Sequence, residues 1–436
     1  MEIFPPEIWL LVAEYLDRAA SLNLSKSCSY LFGLVTPRVL GYRFLRSLER
    51  DGECAAIDFV KAHNSIDFTV TDEHEKTVSH VIAQRGFGDI LCLLLTNPQV
   101  KQLLNARELS GNTPLILAAQ HNHYQVISTL LYAGASVNVR NGIGQSAFYW
   151  AIQNDNYFAV AALLEMNADR TIYGGLSALW ITAKNRSLSL SELLLCRGES
   201  PNTWDTSQGS LLYWAIKRNY EALVQLLLTR GADPNQTDRL RRGPLTWAAL
   251  SGNVGITEKL LCHGANPAIV DRCGRTPLAW AVSMGNIEMV QMLLHRGADL
   301  ETVDRFGWTP LARATAQEDV EMTRLLLARG ASPQHVEDKA QCPLMWAVSK
   351  RNITLARMLL AKGADPTRLD GYKWSPLMEA VQNQDIVMVR LLLTTTIHAI
   401  DVQSKNMYGD SALSLARDVS SSTHLDDQAA RSKTTR

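Results

Sequence analysis

The sequence predicts an all-α solenoid: a stack of helix–turn–helix units, each followed by a projecting turn, with a small helical domain of another kind in front. Three observations carry this prediction. The first is a period of 33 residues, in which Thr276-Pro277-Leu278, Thr309-Pro310-Leu311, Cys342-Pro343-Leu344 and Ser375-Pro376-Leu377 stand in strict step. The second is a closing signature with the same period. It reads Leu227-Leu228 with Gly231-Ala232-Asp233, Leu260-Leu261 with Gly264-Ala265-Asn266, Leu326-Leu327 with Gly330-Ala331-Ser332, and Leu359-Leu360 with Gly363-Ala364-Asp365. The third is that the first 48 residues do not follow the period. A fixed period of this length marks one supersecondary unit copied along a stack. Such a stack offers a long binding surface rather than a single catalytic pocket.

Each part of one unit has a physical reason. In residues 271–303, Asp271-Arg272-Cys273-Gly274 has turn chemistry. Thr276 is suited to cap the next helix, and Pro277 to open it, because the N–H that proline lacks would be unpaired there anyway. Leu278, Ala281 and Val282 give a short apolar face, and Gly285-Asn286 breaks the first helix. Ile287, Val290, Leu293 and Leu294 then recur at helical spacing and predict a second helix. His295-Arg296 place basic groups in its last turn, and Gly297 ends it.

The phase runs backwards through Gly243-Pro244-Leu245 and Ser210-Leu211-Leu212. With a slip of two residues it continues through Ser177-Ala178-Leu179 and Ser146-Ala147-Phe148 to Thr113-Pro114-Leu115. Thr77-Val78-Ser79-His80 and Ser411-Ala412-Leu413 read as degenerate openings at the two ends. Terminal units are expected to be atypical, because each must present a polar outer face. The T-P-L-x-x-A opening, the L-L-x-x-G-A-D close and the D-x-x-G turn together resemble the ankyrin repeat. The resemblance spans residues 75–418 and implies about ten repeats. Residues 49–74 read as a linking helix or half repeat, with a helix around 55–66. Residues 419–436 are polar and patternless, which predicts a disordered tail.

Residues 1–48 read as helical. Phe4-Pro5-Pro6-Glu7-Ile8 is followed by Leu11, Val12, Tyr15 and Leu16 at amphipathic spacing. A second apolar set follows at Leu22, Leu24, Cys28, Leu31 and Phe32, and a third helix is predicted around Val39 to Leu48. The opening, with Val12, Tyr15, Leu16 and Asp17, resembles an F-box. Phe4 stands where that family has Leu, and the family's Trp is absent near Tyr30-Leu31. An F-box before a long ankyrin array resembles F-box–ankyrin proteins of filamentous fungi. The resemblance implies a non-catalytic substrate-recognition subunit of a cullin-type (SCF) ubiquitin ligase. Pro5, Ile8, Leu11, Val12 and Leu16 would then dock a Skp-type linker protein, which joins the cullin complex. The other reading is an ankyrin scaffold whose N-terminal helices only cap the stack.

The resemblance to ankyrin arrays implies that an unidentified target protein meets the turn tips. Here these carry Arg239, Arg242, Arg272, Arg275 and Arg305, with Arg241 beside them, and then Phe306, Trp308, Tyr372 and Trp374. Arginine forks suit carboxylate or phosphate, and exposed aromatics anchor binding, so an acidic or phosphorylated segment is the expected partner. Against this, the arginines read equally as solvated turn residues. Five further tryptophans, Trp150, Trp214, Trp247, Trp280 and Trp346, share one slot four residues after the opening. They are expected to form a buried stack, each costing roughly 3–5 kcal/mol on truncation to Ala.

Composition excludes several classes. Lys plus Arg equals Asp plus Glu at 43 each, so no global charge points to nucleic acid or an anionic membrane. Seven scattered cysteines without a C-x-x-C spacing suit reduced, buried thiols in an intracellular protein, cytoplasmic or nuclear. No basic n-region precedes an apolar core, and no apolar run approaches the roughly 20 residues of a bilayer span. Phosphate-loop, nucleophile-elbow and zincin motifs are absent from the sequence. His121 and His123 lack ligands at zinc spacing, and Gly174-Gly175 is a loosened turn rather than a phosphate cradle. No enzyme activity, cofactor or metal is expected.

Overall fold

Thr276 begins its unit in the computed structural model as the sequence requires: its hydroxyl accepts from Ala279 N at 3.2 Å, with Pro277 at the first helical position. The second helix of that unit is capped by Asn286, whose side chain accepts from Met289 N at 3.0 Å. The same two caps recur along the chain. Thr113, Ser146, Ser210, Thr309 and Ser375 cap first helices, and Asn156, Asn253, Asp319 and Asn352 cap second helices. A cap of this kind contributes about 1 kcal/mol, which matters for helices only seven to nine residues long.

The structure describes residues 29–63, 65–172, 177–205, 209–334, 342–394 and 401–417. They fall into two compact units, Met1–Thr203 and Trp204–Arg436. In the first, a helix Ser29–Arg50 and a helix Glu53–Ala62 precede four helix pairs. These are Val78–Arg85 with Gly88–Leu94, Pro114–Gln120 with Tyr124–Tyr132, Ala147–Gln153 with Tyr157–Glu165, and Ala178–Lys184 with Leu188–Cys196. A short helix Pro98–Gln102 lies after the first pair.

The second unit has six pairs. They are Leu211–Lys217 with Glu221–Thr229, Pro244–Ser251 with Val254–Cys262, Pro277–Ser283 with Ile287–His295, Pro310–Ala316 with Val320–Ala328, Pro343–Ser349 with Ile353–Ala361, and Pro376–Gln382 with Ile386–Thr394. A last helical turn covers 412–417. Trp204–Asp205 and Gly209–Ser210 form a two-residue antiparallel ribbon.

Within each unit the core runs between successive pairs. Leu278, Ala281, Val282, Val290 and Leu293 are all buried, and each such leucine contributes about 1.5–3 kcal/mol. Ile287, expected on the buried face, is 37% exposed at the first position of its helix, and Met289 takes the buried place. Ser29–Arg50 is a longer helix than the sequence predicts and continues through Pro37. Its Phe44 is fully buried, edge-on to Phe68 at 5.7 Å and stacked on Phe59 at 5.9 Å. Gly41 permits the approach: a Cβ there would lie 2.2 Å from the Asp67 carbonyl oxygen. This helix packs on Glu53–Ala62 and on Val78–Arg85.

Candidate protein-binding surface

The projecting turns of the second unit are built by aspartates. Asp271 Oδ1 accepts from Cys273 N at 2.7 Å and from Arg275 N at 3.0 Å. Asp238, Asp304 and Asp370 hold their own turns in the same way. Neighbouring turns are joined by backbone bonds: Arg272 N donates to Leu240 O at 3.0 Å, and Arg305 N to Cys273 O at 2.9 Å. These bonds fix Arg239, Arg272 and Arg305 at one equivalent position in three consecutive turns, and all three side chains are exposed.

The second oxygens of Asp238, Asp271 and Asp304 reach the first helix. Asp238 Oδ2 accepts from Trp247 Nε1 at 3.2 Å, and Asp271 Oδ2 from Trp280 Nε1 at 3.1 Å. Arg242 lies 3.8 Å from the centroid of the Trp247 ring and Arg275 lies 4.3 Å from that of Trp280. The next repeat holds the same stack with the partners exchanged. Trp308 stands in the turn, Arg313 on the helix at 5.3 Å from its ring, and Arg313 pairs with Asp304. Burial draws the Arg313 pKa down, and Asp304 opposes it. Tyr213 meets Trp247 at 4.8 Å, and Trp308 meets Trp346 at 5.0 Å, so rings also touch between repeats.

The turn residues named from the sequence therefore divide. Arg239, Arg241, Arg272 and Arg305 extend into solvent, as do Phe306, 64% exposed, and Tyr372, 61% exposed. Arg242 and Arg275 fold back onto tryptophans, and Trp308 and Trp374 are half-buried. The five-tryptophan slot is half-buried too, not fully buried as expected. At Trp247 and Trp280 one side of the ring meets an arginine of its own turn, Arg242 and Arg275, instead of the core. Among the described residues the fully buried tryptophan is Trp180, one position earlier in its repeat. The exchange of Arg and Trp was visible in the sequence as a five-residue spacing, Arg242/Trp247, Arg275/Trp280 and Trp308/Arg313, although the period alone does not draw attention to it.

Elsewhere the described residues offer less, and the cysteines are not buried as a set: Cys54, Cys92, Cys196 and Cys262 are exposed, while Cys342 is buried. Pro5, Ile8, Leu11, Val12 and Leu16 lie outside them. His121 and His123 stack at 6.2 Å, and burial followed by His123 lowers the His121 pKa. No group of three or more potential metal ligands occurs among the described residues, and no described helix is long and apolar enough to cross a membrane. In the first unit a cavity of about 410 Å³ is bordered by Arg170, Ile172, Ser177, Glu199 and Thr203. Burial raises the Glu199 pKa there, and Ser177 Oγ donates to Glu199 Oε2 at 3.1 Å.

Capped helix pairs, hydrogen-bonded turns and a periodic solvent-facing edge define a repeat protein built for binding other proteins. The family description "Ankyrin repeats (3 copies)" matches residues 50–141, 212–304 and 296–370, more than half the chain. The chain belongs to the ankyrin-repeat family, whose arrays are protein-interaction scaffolds. Among curated proteins it is 29% identical over 139 residues to the nuclear factor NF-kappa-B p105 subunit of Mus musculus, covering 31% of this chain and 14% of that protein. It is 35% identical over 105 residues to the probable E3 ubiquitin-protein ligase XBOS32 of Oryza sativa subsp. japonica, covering 23% of this chain and 21% of the relative. The chain thus spans a fifth or less of the first curated relatives it matches. The human ASB11 ankyrin repeat domain is a similar solved structure, 26% identical, with a TM-score of 0.41, covering 48% of this chain and 91% of that one.

Proposed function

We propose that this protein is the substrate-recognition subunit of a cullin-type ubiquitin ligase, non-catalytic itself. Residues 1–48 are the F-box-like docking domain, 49–74 the link, 75–418 the target-binding array and 419–436 a tail. The observation that carries the reading is the spelling Phe4-Pro5-Pro6-Glu7-Ile8, continued by Val12, Tyr15, Leu16 and Asp17, in front of the array. Pro5, Ile8, Leu11, Val12 and Leu16 dock the Skp-type linker. The turn residues of the second unit, Arg239, Arg272, Arg305, Phe306 and Tyr372 foremost, meet an acidic target. The similarity to a rice protein described as a probable E3 ubiquitin-protein ligase accords with this pairing.

A second reading has its own support. The burial of Phe44, Leu45 and Leu48 in the helix Ser29–Arg50 is what a stack cap requires. In that reading the array is a scaffold without a ubiquitin-ligase role. Co-purification of the full chain with a Skp-type linker separates the two. The wild type is expected to retain the linker, and the pair Pro5→Ser with Ile8→Ser to release it. A wild-type chain that does not retain the linker leaves the scaffold reading standing.

A further inference from the structure

Arg275 differs from its counterparts in the ladder of arginines, tryptophans and aspartates. Arg242 Nε donates to Asp238 Oδ2 at 3.0 Å, and Arg313 is paired with Asp304. In the repeat between them, Asp271 spends its oxygens on Cys273 N, Arg275 N and Trp280 Nε1. Asp238 makes the equivalent three bonds and still pairs with Arg242, whereas the Arg275 guanidinium has no carboxylate partner among the described residues. It lies over the Trp280 ring, and its Nε is buried without a hydrogen-bond partner. Its side chain is half-buried, and the two Nη groups are the donors left for a ligand. Holding a cation in a fixed position beside an aromatic ring removes most of the entropy it would lose on binding. The exposed guanidiniums of Arg239, Arg272 and Arg305 run alongside it at one equivalent position per turn.

We infer that Arg275 is the anchor of a docking groove for an extended, glutamate- or aspartate-bearing segment of the target protein, with one carboxylate on its Nη fork. This rests on reading the array as the target-binding part. The occupant is a carboxylate rather than a phosphate, because the neighbouring guanidiniums of Arg242 and Arg313 are already neutralised. One unpaired fork matches a single negative charge bidentately, and the exposed Arg239, Arg272 and Arg305, one to a turn, leave further carboxylates of the segment partners of their own. Spacing gives the rest of the partner's chemistry. Packed helices stand about 8–10 Å apart, which is about three residues of extended chain. An acid at every third position would therefore meet successive turns.

The test is fluorescence anisotropy of the full chain at physiological ionic strength with three labelled peptides. They carry glutamate, glutamine or phosphoserine at every third position. The glutamate peptide is expected to bind about tenfold more tightly than the glutamine peptide, the weight of one charge-assisted bidentate contact. Arg275→Gln is expected to erase that preference, while Arg329→Gln, an exposed change after a second helix, leaves it intact. Arg275→Lys, which keeps charge and bulk but not the fork, is expected to fall between and decides the matter if Arg275→Gln lowers the unfolding temperature. Tighter binding of the phosphoserine peptide, or an unchanged preference in both Arg275 variants, overturns the anchor. If the preference survives those variants but is lost when Arg239, Arg272 and Arg305 all become Gln, the turns bind the target without the anchor. Survival in every variant removes the turn surface as well. Linker retention reads residues 1–48 and is independent of all these outcomes.

Discussion

Thr77 and His80 close a hydrogen-bonded pair at the head of the first described helix pair. Thr77 N donates to His80 Nδ1 at 3.1 Å, so that nitrogen is the acceptor, and Nε2 faces the Asn112 carbonyl oxygen at 3.0 Å as donor. Protonation would set a second N–H against the Thr77 N–H. Burial accordingly holds the pKa below the usual 6.5, against the smaller raising effects of Asn112 and Glu108. The stability that this neutral pair contributes is present above the unfolded-state value. It declines as pH falls below about 6.5, where only the unfolded chain takes up the proton, and levels off once the folded-state value is passed. Urea unfolding of the first unit should lose stability over that range in the wild type and less so in His80→Gln; equal pH dependence would refute the assignment. A second residue-scale expectation concerns backbone strain. Gly285 turns between its two helices at φ 69°, and Glu318 does the same one repeat later at φ 62°. A side chain in that region costs about 1 kcal/mol, so Glu318→Gly should raise the unfolding midpoint.

At the scale of one repeat, the exchanged stacks make a specific claim. Arg275 on Trp280 and Arg313 on Trp308 are the same contact with the positions reversed. The double variant Arg275→Trp with Trp280→Arg should therefore retain most of the stability that either single change removes. A coupling energy of about 0.5–1 kcal/mol is expected in a double-mutant cycle, the size of a partly exposed cation–π pair. Additive losses would show that the stack contributes nothing. The half-burial of Trp280 also reduces the cost of its truncation below the 3–5 kcal/mol of a buried ring. This part of the surface was only partly legible in the sequence. The period located the turns, and the Thr, Ser and Asn caps located the helix starts, because both signals are local. Whether Arg275 points to solvent or lies back on Trp280 depends on which way a helix face looks across its own turn, and no run of apolar residues encodes that. Ile287 illustrates the same limit: an isoleucine at the first helical position fits the apolar spacing yet lies outside the packed stripe.

At the scale of each compact unit, the extensive helix contacts among the described residues join a repeat to its neighbours. Pro277–Ser283 packs on Pro244–Ser251 on one side and on Pro310–Ala316 on the other. Stability is then close to a sum of repeat terms and nearest-neighbour terms, and damage stays near its source. Long-range order was legible from the sequence for this reason: a structure made of local contacts repeats its local signals, while the helix Ser29–Arg50, which has no copy, could be read only in part. Leu293 is fully buried, and Leu293→Ala should cost about 2–5 kcal/mol. Hydrogen exchange followed along the chain should show faster exchange in Ile287–His295 and in the pairs on either side. Protection in Tyr124–Tyr132 should stay at its wild-type level. Uniform loss of protection in both helices would mean that the array unfolds as one cooperative body. A change made in one repeat could then not be confined there, and the binding effects expected at Arg275 could not be separated from global loosening.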